Sequence, residues 1–275
     1  MKTDHRSASE ARSSVAHHED GGRTVVLGIG IDAVSTRQAV ERVLTWIQEE
    51  RCRQVVTVNP EFIVTARRNA AFRRVLQDAD LAVADGIGTV LAARILGHVL
   101  PERVGGVDLV EQIAVSASPG TRLFLLGADP GIADVTGSRL VERNAGLCIA
   151  GTYAGSPRPE HEDDIVRRIV GARPDVLLVA YGAPAQELWI ARNKDRLHVP
   201  VCIGVGGAFD FISGRASRAP KFVQQVGLEW LYRLAHEPWR WRRMLALPHF
   251  AVLVLTQRAR MLWSAVRQTR AKPKS

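Results

Sequence analysis

The sequence predicts an α/β fold: a Rossmann-like parallel sheet flanked by helices, followed by a helical, basic C-terminal appendage. Three observations predict it. From Thr24 onward, short β-branched apolar runs alternate with longer stretches of helical spacing. The strand-like runs are apolar along their whole length instead of at every second position, as expected of strands covered on both faces. Finally, twelve of the 37 Lys and Arg residues lie between Arg218 and Ser275, against two of the 28 Asp and Glu residues. The positive charge therefore belongs to the end of the chain, and the first 217 positions are nearly neutral.

In chain order, the predicted strands are Val25–Leu27, Val55–Val58, Leu81–Ala84, Leu123–Leu126, Val176–Ala180 and Val201–Ile203. The helices predicted between them include Thr36–Glu50, Pro60–Leu76, Ile87–Leu96, Ile132–Glu142 and His161–Val170. Residues 1–23, rich in Ser, Ala, His and charge, read as a disordered leader, without the apolar stretch of about 7–15 residues that marks a secretory signal. Residues 24–217 read as the α/β domain and residues 218–275 as the appendage. A length of 275 residues with 46% hydrophobic and 24% charged content excludes collagen-like, low-complexity and wholly disordered chains. Cys52, Cys148 and Cys202 are far apart and outside any CxxC spacing, so neither a disulfide framework nor a zinc site is indicated, and a reducing cytosol is the expected compartment.

The appendage mixes Trp230, Trp239, Trp241 and Trp263 with arginines. Its most apolar run, Phe250–Leu255, is far shorter than the ~20 residues of a membrane-crossing helix. Two readings follow: a helix lying in a membrane interface, or a basic helix packed on its own domain. A basic segment seeks phosphate, whether in nucleic acid, anionic lipid or a diphosphate ligand.

Open parallel sheets bind ligands at the carboxyl ends of their strands, and four such places carry candidate residues. In Thr57-Val58-Asn59-Pro60-Glu61, Asn59 reads either as a helix N-cap or, with the Thr57 hydroxyl, as part of an anion or sugar site. In Ala84-Asp85-Gly86-Ile87-Gly88, Asp85 is either a cap or a general base. In Tyr181–Glu187, a Gly-Ala-Pro turn opens a helix with Gln186 in its first turn, as a ligand-binding amide or a surface polar group. In Gly204–Asp210, Gly206 and Gly207 let backbone wrap a phosphate, and Asp210 either accepts from a sugar hydroxyl or is structural. No full GxGxxG fingerprint follows a strand, which disfavours a dinucleotide cofactor. Asp78-Ala79-Asp80 has the DxD pattern of metal-dependent sugar transfer, but it precedes its strand and so falls at the wrong end of the sheet.

Taken together and in this order, these segments resemble the WecG/TagA/CpsF glycosyltransferases. The resemblance also rests on Leu100–Val104 with Gly106 and Asp108, Leu125–Gly127, Trp189–Arg192, Arg218–Lys221, Gly227–Arg233 and Glu237-Pro238, and it spans about Val25 to Met244. It implies an inverting, metal-independent enzyme without a cofactor. Such an enzyme moves a sugar, N-acetylmannosamine in the best-known case, from a UDP-sugar to a polyprenyl-diphosphate-linked sugar at the cytoplasmic face of the membrane. It further implies Asp85 as base, Thr57 as active-site threonine, Asn59, Arg103 and Gln186 as pocket residues, and Arg233, Arg240 and Arg243 as appendage arginines. This chain has Asn-Pro-Glu where many relatives have Asn-Ala-Glu. On this reading the partners are the two substrates and the membrane surface, not nucleic acid, and self-association stays open. The alternative is a nucleotide-binding α/β module whose basic tail binds nucleic acid.

Overall fold

The first strand does not join the main sheet. In the computed structural model, which describes residues 22–49, 51–225, 228–238 and 241–270, Arg23–Val26 (β1) and Ile29–Asp32 (β2) pair with each other in antiparallel fashion. Leu27 and Gly28 both have positive φ, 51° and 86°, the geometry of a tight hairpin turn whose twist matches its strands. A two-residue link cannot cross over to a parallel neighbour, so the hairpin packs beside the sheet. There the Asp32 carboxylate accepts the backbone N–H of Ala82 at 2.7 Å.

The remaining strands form one parallel six-stranded sheet. They are Arg53–Val58 (β3), Leu81–Ala84 (β4), Arg122–Gly127 (β5), Cys148–Tyr153 (β6), Val176–Ala180 (β7) and Val201–Gly204 (β8), in the order β4-β3-β8-β7-β5-β6. Side chains alternate between two faces, and both are covered. Val55, Leu81, Val83, Leu125, Leu178 and Ile203 pack into one apolar cluster. That cluster includes Thr36–Trp46 (α1) with residues of the later helices Gly106–Ser116, Ile132–Arg143 and Ala208–Ser213. On the opposite face, Val56, Val58, Ala82 and Ala84 meet Pro60–Ala66 (α2), Ala70–Asp78 (α3) and Ile87–Ile95 (α4). The Gly106–Ser116 helix is α5 and Ile132–Arg143 is α6. Farther along the second face, Phe124, Leu126, Leu177, Val179 and Cys202 meet Glu162–Ala172 (α7) and Ala185–Leu197 (α8). Ala208–Ser213 is α9.

The helix predicted over 60–76 is two helices. Asn59 caps α2 by accepting the Phe62 N–H at 3.0 Å, and Asn69 caps α3 by accepting the Phe72 N–H at the same distance. A side chain that captures N–H groups in this way starts a new helix instead of continuing the old one.

Beyond Pro220 the described chain is helical: Lys221–Gln225 (α10), Glu229–His236 (α11), Trp241–Met244 (α12) and Ala246–Arg270 (α13). The predicted leader to residue 21, Trp239 and Arg240 lie outside the described residues. Helix α13 is two-faced. Phe250 and Val254 are buried with Ile63 of α2 and Ala92 and Ala93 of α4, while Val252, Leu255, Leu262 and Trp263 stay exposed. Phe250→Ala is expected to cost about 3–5 kcal/mol of stability in denaturant titrations. A loss below about 0.5 kcal/mol would show that α13 does not dock in solution.

Candidate active site

Parallel pairing brings distant sequence segments to one edge of the sheet. Strands β4, β3, β8 and β7 are consecutive neighbours, so the residues following them, Asp85, Asn59, Val205 and Tyr181, emerge side by side. Asp85 donates its N–H to Val58 O at 2.8 Å. The loop before α5 joins this edge because Val104 donates to Ala84 O, also at 2.8 Å, which carries Arg103 to the end of β4. Gly106, opening α5, faces Val205 O and the Thr57 side chain: a Cβ there would meet them at 3.7–3.9 Å.

The Asp85 carboxyl is the centre of this edge. Its enclosure at the strand end pushes it up from the ordinary carboxylate range to about 7. Arg103 works against that rise, Glu229 and Asp108 add to it, and Arg218 opposes it again. These four neighbours form a network of their own. Arg103 donates to Asp108 Oδ2 and to Glu229 Oε2, each at 3.0 Å. Arg218 grips both Asp108 oxygens at 2.7 and 2.8 Å, in the two-pronged geometry that suits guanidinium and carboxylate. Its Nε lies 3.7 Å from Glu229 Oε1. The segment after the last strand is thereby tied beside Asp85 by charge-assisted bonds.

The other predicted residues take distinct places. Thr57, 5% exposed, donates its hydroxyl to Gly204 O at 3.3 Å and so bridges β3 and β8 at the site. Asn59 is the N-cap described above, which commits its oxygen. Gln186 is buried, and its oxygen accepts the N–H groups of Gly182 and Gly206, each at 3.0 Å. It is therefore neither a surface residue nor a free amide. Gly206 has φ +53°, and a Cβ on Gly207 would stand 2.9 Å from Nη2 of Arg233, so this loop and that guanidinium are in direct apposition. Arg233 of α11 also stacks over Phe211 at 4.7 Å and donates to Glu237 at 3.3 Å. Its Nη2 is buried without a hydrogen-bond partner among the described residues. Asp210 is held above its usual range by burial, against the pull of Arg215 and Arg233. Arg243 of α12 donates to Glu61, in the first turn of α2, at 2.8 Å. Arg240 lies outside the described residues.

The DxD segment is accounted for structurally. Asp80 accepts the Gln54 N–H at 2.9 Å and pairs with Arg53 and Arg51 at the opposite end of β4 from Asp85. Among the described residues no group of three His, Cys, Asp or Glu side chains is arranged to hold a metal ion. Asp108, Arg218 and Glu229 belong to the segments that carry the resemblance, but the sequence assigned them no role at the site. Their spacings of 110 and 126 positions from their partners leave no local pattern to detect.

A parallel α/β domain with a carboxyl of raised affinity for protons and a fringe of arginines at the strand ends has the equipment of a group-transfer enzyme acting on an anionic donor. The comparisons name the class: residues 24–263 match the Glycosyl transferase WecG/TagA/CpsF family. The protein belongs to that family and is a glycosyltransferase. It is similar to an N-acetylglucosaminyldiphosphoundecaprenol N-acetyl-beta-D-mannosaminyltransferase of Bacillus spizizenii, 35% identical over 212 residues, covering 77% of this chain and 82% of the relative. The protein of the same name in Bacillus subtilis is 34% identical over 204 residues (74% and 79%). One from Staphylococcus aureus is 27% identical over 240 residues (86% and 94%).

The raised Asp85 carboxyl has a consequence for stability. A carboxyl whose folded value exceeds its unfolded one binds protons more tightly when folded, so the fold loses stability as pH rises from the unfolded value towards about 7. Asp85→Asn removes that loss. Its melting temperature relative to the parent is expected to rise between about pH 5 and about pH 8; a difference that stays flat or falls would contradict the enclosed carboxyl.

Proposed function

We propose that this protein is an inverting glycosyltransferase of bacterial surface-polysaccharide synthesis. It moves a sugar of the N-acetylmannosamine type, or a related hexose, from a UDP-sugar to a polyprenyl-diphosphate-linked sugar at the inner face of the cell membrane. The observation that carries this reading is Asp85, enclosed at the strand end with a proton affinity near neutrality and cationic groups on either side. The names of the similar Bacillus and Staphylococcus enzymes support the lipid-linked acceptor.

In this mechanism Asp85 takes the proton of the attacking acceptor hydroxyl. The oxygen forms its bond to the donor's anomeric carbon from the side opposite UDP, the bond from that carbon to UDP breaks, and the electron pair leaves on the diphosphate. A base poised near 7 is ionised enough to accept the proton and basic enough to help remove it. Thr57 hydrogen-bonds the bound sugar from its fixed place against Gly204 O. Asn59, with its oxygen engaged in the cap, offers its NH2. Arg103 stands over the acceptor side, held by Asp108 and Glu229. The Gly206-Gly207 turn receives the diphosphate, Asp210 a donor hydroxyl, and Arg233, Arg240 and Arg243 offset the charge of departing UDP without a metal ion. The unused Nη2 of Arg233 against Gly207 supports that assignment.

The outer face of the C-terminal helices supports peripheral membrane attachment. Trp241, Leu245, Leu255, Leu262 and Trp263 are exposed beside Arg242, Arg260 and Arg267, and α13 contains no acidic residue. No helix among the described residues is long and apolar enough to cross a membrane. Each basic side chain near an anionic surface adds ~1 kcal/mol.

Two measurements test the proposal. With a UDP-sugar panel and a short-chain lipid-diphosphate sugar, Asp85→Asn is expected to lower the transfer rate by ~10²–10⁴-fold while remaining folded; near-full activity would refute the base. Replacing Arg242, Arg260 and Arg267 by Gln and Trp263 by Ser, all exposed on α12 and α13, is expected to abolish sedimentation with anionic vesicles. Point changes suit this test better than truncation, because Phe250 and Val254 belong to the core. Unchanged sedimentation would remove the membrane role.

A further inference from the structure

Beneath the Gly204–Gly207 turn lies a carboxyl that the transfer chemistry does not use. Glu187, next to Gln186 in the first turn of α8, would read from sequence as a surface acid at a helix N-terminus. It is instead 0% exposed, and Gln186 is 1% exposed. The Gln186 oxygen accepts Gly182 N–H from the turn after β7 and Gly206 N–H from the turn after β8. One amide therefore clasps two turns of the site. Its oxygen can face both donors only if its NH2 points away from them and finds an acceptor there. Glu187 Oε1 is that acceptor, 2.7 Å from Gln186 Nε2.

The surroundings are shaped to this pair. Gln54 of β3 donates to the Glu187 backbone oxygen at 3.1 Å, anchoring the start of α8 against the sheet. A Cβ on Gly204 would stand 2.5 Å from Glu187 Oε1 and 2.7 Å from Gln186 Nε2, so β8 leaves an empty slot that the two side chains occupy. A buried carboxyl is costly to keep. Burial pushes this one up to about 7, and its second oxygen has no hydrogen-bond partner among the described residues. Such a group is a poor choice for packing alone.

We infer that Glu187 is a positioning residue: its carboxyl sets the orientation of the Gln186 amide, and that amide fixes the Gly204–Gly207 turn in the shape that receives the donor's diphosphate. What the turn receives rests on the function proposed above; that the pair fixes the turn does not.

Hydrogen–deuterium exchange of the full-length protein, with and without UDP, separates the two. Glu187→Met keeps an unbranched side chain of similar length but removes the acceptor. It is expected to speed exchange about tenfold or more in peptides covering 182–186 and 204–208, and to weaken UDP binding about tenfold, with other sheet peptides unchanged. Glu187→Gln keeps a carbonyl oxygen for Gln186 Nε2 and is expected to return both readouts to within about twofold of the parent. Should Glu187→Met fail to fold, Gly204→Ala intrudes on the same pair and is expected to loosen the same two segments. The inference is overturned if the folded Met and Ala variants keep parental exchange there, or if Glu187→Gln is loosened as much as Glu187→Met. Loosening as expected in a protein whose parent shows no UDP binding would uphold the clasp and overturn the donor reading.

Discussion

The structure turns on enclosing one carboxyl at the end of a central strand. Asp85 emerges half-buried at the end of β4, with its backbone N–H bonded to β3. Its two cationic neighbours are themselves neutralised by Asp108 and Glu229. That near-cancellation is why burial dominates its proton affinity. Had Arg103 and Arg218 stood alone, their charge would have held Asp85 ionised and made it a weak base. The network thus does two things at once: it ties the helices after Pro220 to the α/β domain, and it denies Asp85 a full counter-charge.

The sheet's topology turns this local chemistry into a site. Because all six strands are parallel, every strand-to-helix turn falls on one edge, and because both faces are covered, that edge is where ligands can reach the backbone. The clasp made by Gln186 and the bridge made by Thr57 both run across neighbouring strands there. Arg233 and Arg243 reach the same edge from α11 and α12. The inner face of α13 belongs to the core through Phe250 and Val254, and its outer face remains apolar and basic. The two readings of the tail that the sequence left open therefore concern opposite faces of one helix.

Strands buried on both faces announce themselves as unbroken apolar runs, which is why β3, β4, β5, β7 and β8 were legible to within two residues at either end. Cys148–Tyr153 was not, because β6 is an edge strand and none of its residues is fully buried. The hairpin was misread as a strand of the main sheet because a Leu-Gly turn carries no conspicuous signal. The break between α2 and α3 depends on one side-chain cap at Asn69. At the site, strand-end position picked out Thr57, Asn59, Asp85, Gln186 and the glycine turn, since parallel topology fixes where such residues point. The tuning role of their partners did not show: Asp108, Arg218 and Glu229 stand in the segments that carry the resemblance but meet as a network only through tertiary folding, and Glu187 looks like any acid in a helix's first turn.

The most direct test is to follow the Asp85 carboxyl carbon by NMR through a pH titration of the ligand-free protein, beside the pH dependence of kcat/KM for sugar transfer. Both are expected to titrate near 7. A carboxyl that titrates near 4, in the ordinary range, while transfer still rises through neutrality would show that the base is another group.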